Sequence, residues 1–147
     1  MKLRNGAMAG VLLAASLMAG ASTAHADSVE IVTTGDIEIV DQGTTEDGGW
    51  VAFNGTGEVT IDDTAQAGAR AVKTVGGGTW NYGATARTNG SKVCFSYYFH
   101  NGVAHGATAT MGGTTDRPWT YAGAWANAYV TKHTTATCYT YWRTSNP

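Results

Sequence analysis

Side chains that could carry out acid–base or metal chemistry are few in the C-terminal half of this sequence, and they are poorly grouped. Only one carboxylate, Asp116, follows Asp63. The histidines after the first 26 residues are His100, His105 and His133. A hydrolase with paired carboxylates needs two acids across one site, and a metal centre needs several closely spaced ligands. We therefore expect no enzymatic activity, no catalytic residues, no metal site and no cofactor.

The N-terminus has the features of a secretory signal. Lys2 and Arg4 precede an apolar run at residues 7–18, and the tripeptide at residues 24–26, Ala-His-Ala, is typical of a cleavage site. Twelve apolar residues are too few to span a hydrocarbon core of about 30 Å. We therefore expect residues 1–26 to be a signal peptide, the protein to be secreted, and no transmembrane segment to remain after cleavage.

The two cysteines predict a single disulfide. Cys94 and Cys138 are the only cysteines of the chain, and an exported protein meets an oxidising environment in which thiols pair. The loop they would close stabilises a fold by about 4 kcal/mol in the loop-entropy model. We interpret this pair as structural.

Charge and aromatic content divide the chain into two modules. Residues 27–69 contain ten acids and no lysine or arginine, whereas residues 70–147 contain seven bases and one acid. Of 15 aromatic residues, 13 lie after residue 75. We predict an acidic module over residues 27–75, as a pro-region that shields the rest, a partner-dependent lobe or an accessory sheet. A second module follows over residues 76–147, with Gly76-Gly77-Gly78 as a hinge or processing point.

A basic, aromatic module could also bind nucleic acid by stacking bases over a cationic surface. Its charge density is modest and the chain is exported, so we expect no nucleic-acid partner.

The residues that position these side chains are predicted to be strands. No leucine follows residue 17, and threonine, valine, glycine and aromatics dominate, which favours an all-β fold. In the acidic module, VEIV and DIEIV flank Thr34-Gly35, and WVAF and EVTI flank NGTG, which predicts two hairpins. In the second module, alternation is clear in SKVCFSYYFH, AHGATATM, WANAYVT and TATCYTYW, with a further strand around GTWNYG. We predict a small antiparallel β-sandwich preceded by the acidic two-hairpin module.

Three stretches in order carry a family resemblance: GGTWNYG, SYYFHNGVAHGATA and AGAWANAYV, at residues 77–83, 96–109 and 122–130. They resemble the lactococcin 972 family of bacteriocins, over residues 77 to about 142. The resemblance implies a sandwich of two small sheets and a secreted antibacterial protein that acts on related Gram-positive bacteria. It further implies binding of the cell-wall precursor lipid II and a block of septum and wall synthesis without catalysis.

A protein that binds lipid II or another cell-wall precursor must hold a pyrophosphate and a sugar-peptide head, which requires cationic or amide donors beside aromatic rings. The candidate ligand-binding residues are Trp80, Tyr82, His100, His105, Arg117, Trp119 and Trp125. Arg117 and the histidines would bind phosphate, and the rings would bind sugars. For Trp80 and Trp125, a position in the core is the favoured interpretation.

Other classes stay open from the residues alone. The chain could be an exported carbohydrate-binding or adhesive module, or a secreted hydrolase inhibitor that presents a disulfide-pinned loop. Association into a homodimer also stays open.

Overall fold

The computed structural model describes residues 30–63 and 75–145, so the predicted signal peptide lies outside the described residues. These residues form nine strands. The strands are β1 (Glu30–Thr45), β2 (Gly48–Asp62), β3 (Thr79–Ala86), β4 (Lys92–Phe99), β5 (His105–Met111), β6 (Thr114–Asp116), β7 (Trp119–Thr120), β8 (Trp125–Lys132) and β9 (Cys138–Arg143). The all-β prediction is confirmed, and each of the five strands predicted in the second module overlaps one observed strand. Within the described residues, no helix is long and apolar enough to cross a membrane.

The strands form one antiparallel sheet that nearly closes on itself. Its order is β6-β5-β9-β2-β3-β4-β8, with β1 paired to β2 and β7 paired to β5. On β2, residues 48–53 pair with β9, whereas residues 57–62 pair with β3. The sheet therefore divides at β2 into a β5–β9 arm, with β6 and β7 at its margin, and a β3–β4–β8 arm. Contacts of β4 and β8 with β5 show that the arms face each other across the core.

The acidic module forms one long hairpin, β1–β2, and the prediction of two short hairpins is wrong. The two predicted turns lie opposite each other within the paired strands, where Gly35 pairs with Gly57. Gly35 and Gly55 have φ angles of 83° and 88°, so each bends its strand without ending it. The strands continue because β2 is paired along both of its edges, by β1 on one side and by β9 and β3 on the other. We call residues 30–62 the acidic hairpin.

The acidic hairpin contributes to the centre of the core. Phe53 and Ile61 of β2 are completely buried, and the ring centroids of Phe53 and Tyr82 lie 5.9 Å apart. The inward positions of β3, β4 and β9 complete this core with Trp80, Tyr98 and other apolar residues. Hydrophobic burial therefore holds the acidic hairpin to the rest of the fold.

The predicted disulfide is confirmed and connects the two arms. Cys94 lies on β4 and Cys138 on β9, with Cα atoms 5.6 Å apart. Both residues are fully buried. The bond therefore crosses the core between the facing arms.

The glycine run predicted as a hinge is hydrogen-bonded to the core. The buried carboxylate of Asp63 accepts hydrogen bonds from the backbone N–H groups of Val75, at 2.8 Å, and Gly77, at 3.2 Å. The Tyr98 hydroxyl donates to the carbonyl oxygen of Val75 at 2.7 Å. Residues 75–77 are therefore anchored beside the end of β2, and processing at this point stays a prediction.

Candidate functional site

A groove of about 500 Å³ lies on the outer surface of the β5–β9 arm, between β6 and the first residues of β2. Threonine hydroxyls, two arginines and the rings of Trp50 and Tyr141 line it. We call it the arginine groove and define it by Trp50, Thr108, Arg117, Tyr141 and Arg143. It combines cations, hydroxyl groups and aromatic rings, which is the combination expected for a polar, anionic ligand.

Strand alternation explains why these side chains meet. On β5, His105, Ala107, Ala109 and Met111 are buried, so Thr108 and Thr110 point outward. Cross-strand pairing then aligns outward positions in rows. Thr108, Tyr141 and Trp50 form one row, and Gly106, Arg143 and Gly48 form the next.

Arg143 occupies the floor of the groove and is held by oxygens of β5 and of the segment before β7. Its Nη1 atom donates to the carbonyl oxygen of Ala107 at 3.2 Å and to Thr108 Oγ1 at 3.0 Å, and its Nη2 atom donates to the carbonyl oxygen of Pro118 at 3.1 Å. The guanidinium lies against β5 because Gly106 has no side chain there: a Cβ atom would collide with Cζ of Arg143. The Nε atom of Arg143 is buried and has no hydrogen-bond partner.

The charge of this arginine pair is not neutralised by the hydrogen bonds of Arg143. All three of those bonds go to uncharged oxygen atoms. Burial, and secondarily the neighbouring Arg117 guanidinium, lowers the pKa of Arg143. Arginine still keeps its proton at neutral pH, so two positive charges face the groove. An anion placed there would receive charge-assisted hydrogen bonds and reduce the repulsion between the two guanidinium groups.

Two of the residues predicted from sequence are part of this arrangement. Arg117 lines the groove, and the ring of Trp119 packs against Arg143, with the Cζ atom 5.5 Å from the ring centroid. Three further residues of the groove were not predicted from sequence: Arg143, Trp50 and Tyr141. Alternation within TATCYTYW places Tyr141 on the outward side, but only the pairing of β9 with β2 and β5 reveals its neighbours.

The two predicted histidines are bound to backbone atoms. His105 is fully buried, and its ring nitrogens lie 2.8 Å and 2.7 Å from the carbonyl oxygens of Val103 and Ala124. The Nδ1 atom of His100 accepts hydrogen bonds from the N–H groups of Gly102 and Val103, and its Nε2 atom lies 3.1 Å from the carbonyl oxygen of Gly76. Both rings therefore organise the loop between β4 and β5, and every ring nitrogen already has a partner.

The remaining predicted residues lie apart from the groove. Trp80 and Tyr82 are 2% and 1% exposed, and the indole N–H of Trp80 donates to Ser96 Oγ at 2.9 Å. The core interpretation is therefore right for Trp80. It is wrong for Trp125, which is 46% exposed on the outer side of β8 and packs on Phe99 at 5.4 Å between ring centroids.

The outer side of the β3–β4–β8 arm forms a second distinct surface. Cross-strand pairs place Phe99 beside Trp125 and Phe95 beside Tyr129, with Tyr97 between them on β4. We call Tyr97, Phe99, Trp125 and Tyr129 the aromatic face. Nowhere in residues 30–63 and 75–145 do three or more His, Cys, Asp or Glu side chains form a group that could hold a metal ion.

Comparison with known proteins gives one family match. Residues 76–142 match the family model described as Bacteriocin (Lactococcin_972). No curated protein and no solved structure matches the chain. The matched residues include Thr108, Arg117 and Tyr141 of the arginine groove, whereas Arg143 and the whole acidic hairpin with Trp50 lie outside them.

Proposed function

We propose that the protein is secreted and inhibits related Gram-positive bacteria by binding the cell-wall precursor lipid II in the arginine groove. The proposal starts from the match of residues 76–142 to the Lactococcin_972 family of bacteriocins. The observation that carries the proposal is the pair of guanidinium groups, Arg117 and Arg143, in a groove that also presents hydroxyls and aromatic rings. Lipid II joins a pyrophosphate to a sugar, and both parts find complementary groups in this groove.

The pyrophosphate would lie between the two arginines. The exposed guanidinium of Arg117 can donate to phosphate oxygens, and such charge-assisted bonds are stronger than neutral ones. The Arg143 guanidinium, held at the floor of the groove, adds a second positive charge. The threonine hydroxyls of β5 and β6 can donate to further oxygens. Binding would sequester the precursor and so stop wall synthesis.

The groove favours binding over hydrolysis. Its described lining contains one carboxylate, Asp47, and no histidine. General acid–base hydrolysis of a glycosidic bond normally uses two carboxylates on either side of that bond. The proposed action therefore forms and breaks no covalent bond.

Growth inhibition by the full secreted protein tests the proposal. Arg117 is exposed, so Arg117→Gln removes one cation without disturbing the core. We expect this variant to need about tenfold more protein for the same inhibition, since one charge-assisted contact is lost. Arg87→Gln, which changes an exposed arginine in the turn between β3 and β4, is the matched control and should retain full potency.

Two readouts identify the target. Inhibited cells should accumulate wall precursors, and lipid II added to the medium should protect them. A protein that leaves a broad panel of related bacteria growing normally contradicts the proposal. The same holds if inhibited walls release cut fragments, or if Arg117→Gln and Arg87→Gln are equally potent.

A further inference from the structure

We infer that the acidic hairpin forms a wall of the arginine groove and that Trp50 in this wall is the stacking platform for a sugar ring whose phosphate lies on Arg117 and Arg143. The inference rests on the proposed anion site and adds to it a ring-binding subsite. This subsite comes from residues outside the family match.

The indole of Trp50 is held flat on the outer surface. Trp50 pairs with Gly43 of β1 on one side and with Tyr141 of β9 on the other. A Cβ atom at Gly43 would collide with the Cζ2 and Cη2 atoms of the indole, so the ring lies over this glycine. Its Nε1 atom donates to Asp41 Oδ2 at 3.2 Å. One face of the ring therefore rests on the strand, while the partly exposed side chain lines the groove.

The turn of the hairpin is joined to the other end of the groove. The carbonyl oxygen of Asp47 accepts a hydrogen bond from the N–H of Thr144, just after β9, at 2.8 Å. The pairing of Gly48 with Arg143 continues this connection. The wall is thus attached to the same strand that supplies Arg143.

The arrangement of charge along the groove selects the class of ligand. Trp50 lies opposite Tyr141, two residues along β9 from Arg143, so the strand positions of Trp50 and Arg143 are diagonal neighbours about 7–8 Å apart. The indole extends from its position over Gly43 of β1, on the side away from Arg143. A ligand that contacts both groups must extend across at least this distance, as a sugar ring with its attached phosphate can. The phosphate complements the two guanidinium groups, the apolar face of the sugar complements the indole, and the Asp47 carboxylate can accept hydrogen bonds from sugar hydroxyls. A glycosyl phosphate therefore matches the groove better than a free phosphate or a free sugar.

This role is the opposite of the shielding predicted from charge alone. A shield would hide the site, so weakening it would leave binding unchanged or improve it. A wall completes the site, so removing its platform must weaken the binding of ring-bearing ligands and leave the binding of a simple anion unaffected.

The test is a titration of the full secreted protein, followed by NMR, with N-acetylglucosamine 1-phosphate and with inorganic phosphate. The wild type should bind the glycosyl phosphate about three- to tenfold more tightly than phosphate, which is the contribution expected from one aromatic stack. Trp50→Ala should lose this preference and still bind phosphate. Trp50→Phe, which keeps a smaller ring and guards against misfolding of the alanine variant, should retain part of the preference.

Tyr121→Ala is the matched control, because this aromatic side chain is 82% exposed and lies outside the groove. It should behave as the wild type. Equal affinity of the wild type for the two probes would contradict the ring-binding role of Trp50, and so would a full preference for the glycosyl phosphate in both Trp50 variants. Neither result would contradict the anion site. If neither probe binds to the wild type, the anion site of the proposed function is wrong, and the wall that depends on it is wrong as well.

Discussion

The two outer faces of this protein share one core and have different chemistry. The arginine groove on the β5–β9 arm presents two guanidinium groups beside threonine hydroxyls. The aromatic face on the β3–β4–β8 arm presents Trp125 and Tyr129, which are 46% and 56% exposed. No lysine or arginine occupies an outward position of β3, β4 or β8, all of which lie in the described part of the chain.

The difference shows how strand alternation separates stability from binding. On β8, buried Ala126, Ala128 and Val130 alternate with exposed Trp125, Asn127 and Tyr129. Inward positions must be small or apolar to fit the space between the arms. Outward positions carry no such constraint, so each arm can acquire its own surface. Changes at inward positions should therefore affect both faces, and changes at outward positions only one.

The largest effect is expected from removing the disulfide, which connects the two arms. The double variant Cys94→Ala, Cys138→Ala should have a free energy of unfolding lower by about 4 kcal/mol. The reason is that the unfolded chain regains the conformational entropy that the disulfide removes by joining residues 44 positions apart. Denaturant unfolding measures the loss. Unfolding of the reduced wild type should give a similar value. A loss below about 1 kcal/mol would mean that the arms are held together without this bond.

Alkaline pH tests the core position of Tyr82, which was predicted from sequence to bind ligand. Burial raises the pKa of Tyr82, and burial with a smaller effect of Asp63 raises that of Tyr98. The unfolded chain ionises these phenols near pH 10 while the folded chain keeps them protonated. Their contribution to stability is therefore complete below pH 10 and is lost as pH rises above it, by about 1.4 kcal/mol per pH unit for each tyrosine.

Tyr82→Phe should therefore reduce the dependence of unfolding free energy on pH above pH 10. Denaturant titrations at a series of alkaline pH values measure the slope. Identical slopes for the variant and the wild type would show that Tyr82 ionises equally in the folded and unfolded chains, and would contradict its burial.

A smaller effect, on the arginine groove and not on the aromatic face, is expected from a substitution at Gly106. Gly106→Ala places a Cβ atom against the Arg143 guanidinium, so the guanidinium must move away from β5. We expect about tenfold weaker binding of inorganic phosphate and a loss of about 1–3 kcal/mol in unfolding free energy. NMR titration and denaturant unfolding measure the two effects. Gly102→Ala is the control, because its Cβ atom would meet His100 only at 3.4 Å in an exposed loop. Unchanged phosphate binding in Gly106→Ala would show that the observed position of Arg143 does not contribute to phosphate binding.

The smallest effect is expected at Trp125, on the opposite face. Trp125→Ala should change the unfolding free energy by less than about 1 kcal/mol, because the side chain is half exposed, and should leave phosphate binding unchanged. The same two measurements apply. Weaker phosphate binding in this variant would mean that the two faces are coupled through the core, and that the separation of roles between them is incomplete.

Much of the local structure could be predicted from the sequence. The absence of leucine after residue 17 and the two-residue alternation indicate strands, and the five strands predicted in the second module each overlap an observed one. The predicted export and the presence of only two cysteines predict the Cys94–Cys138 bond. These features depend on neighbouring residues or on composition, so no knowledge of pairing is needed.

Strand pairing was decided only by the tertiary structure. Thr34-Gly35 and NGTG have the composition of turns, yet they lie opposite each other in one hairpin, because β3 and β9 complete the second edge of β2. Local turn signals cannot show whether a distant strand will satisfy that edge.

The candidate site depends on the same nonlocal pairing. Arg117 and Trp119 were predicted from residue type, whereas Trp50, Tyr141 and Arg143 become neighbours only when β2, β9 and β5 align. The alternation of side chains along each strand determines which of them point outward. The register between strands that lie far apart in sequence determines which outward side chains share a groove. That register follows from burying both arms around a common core.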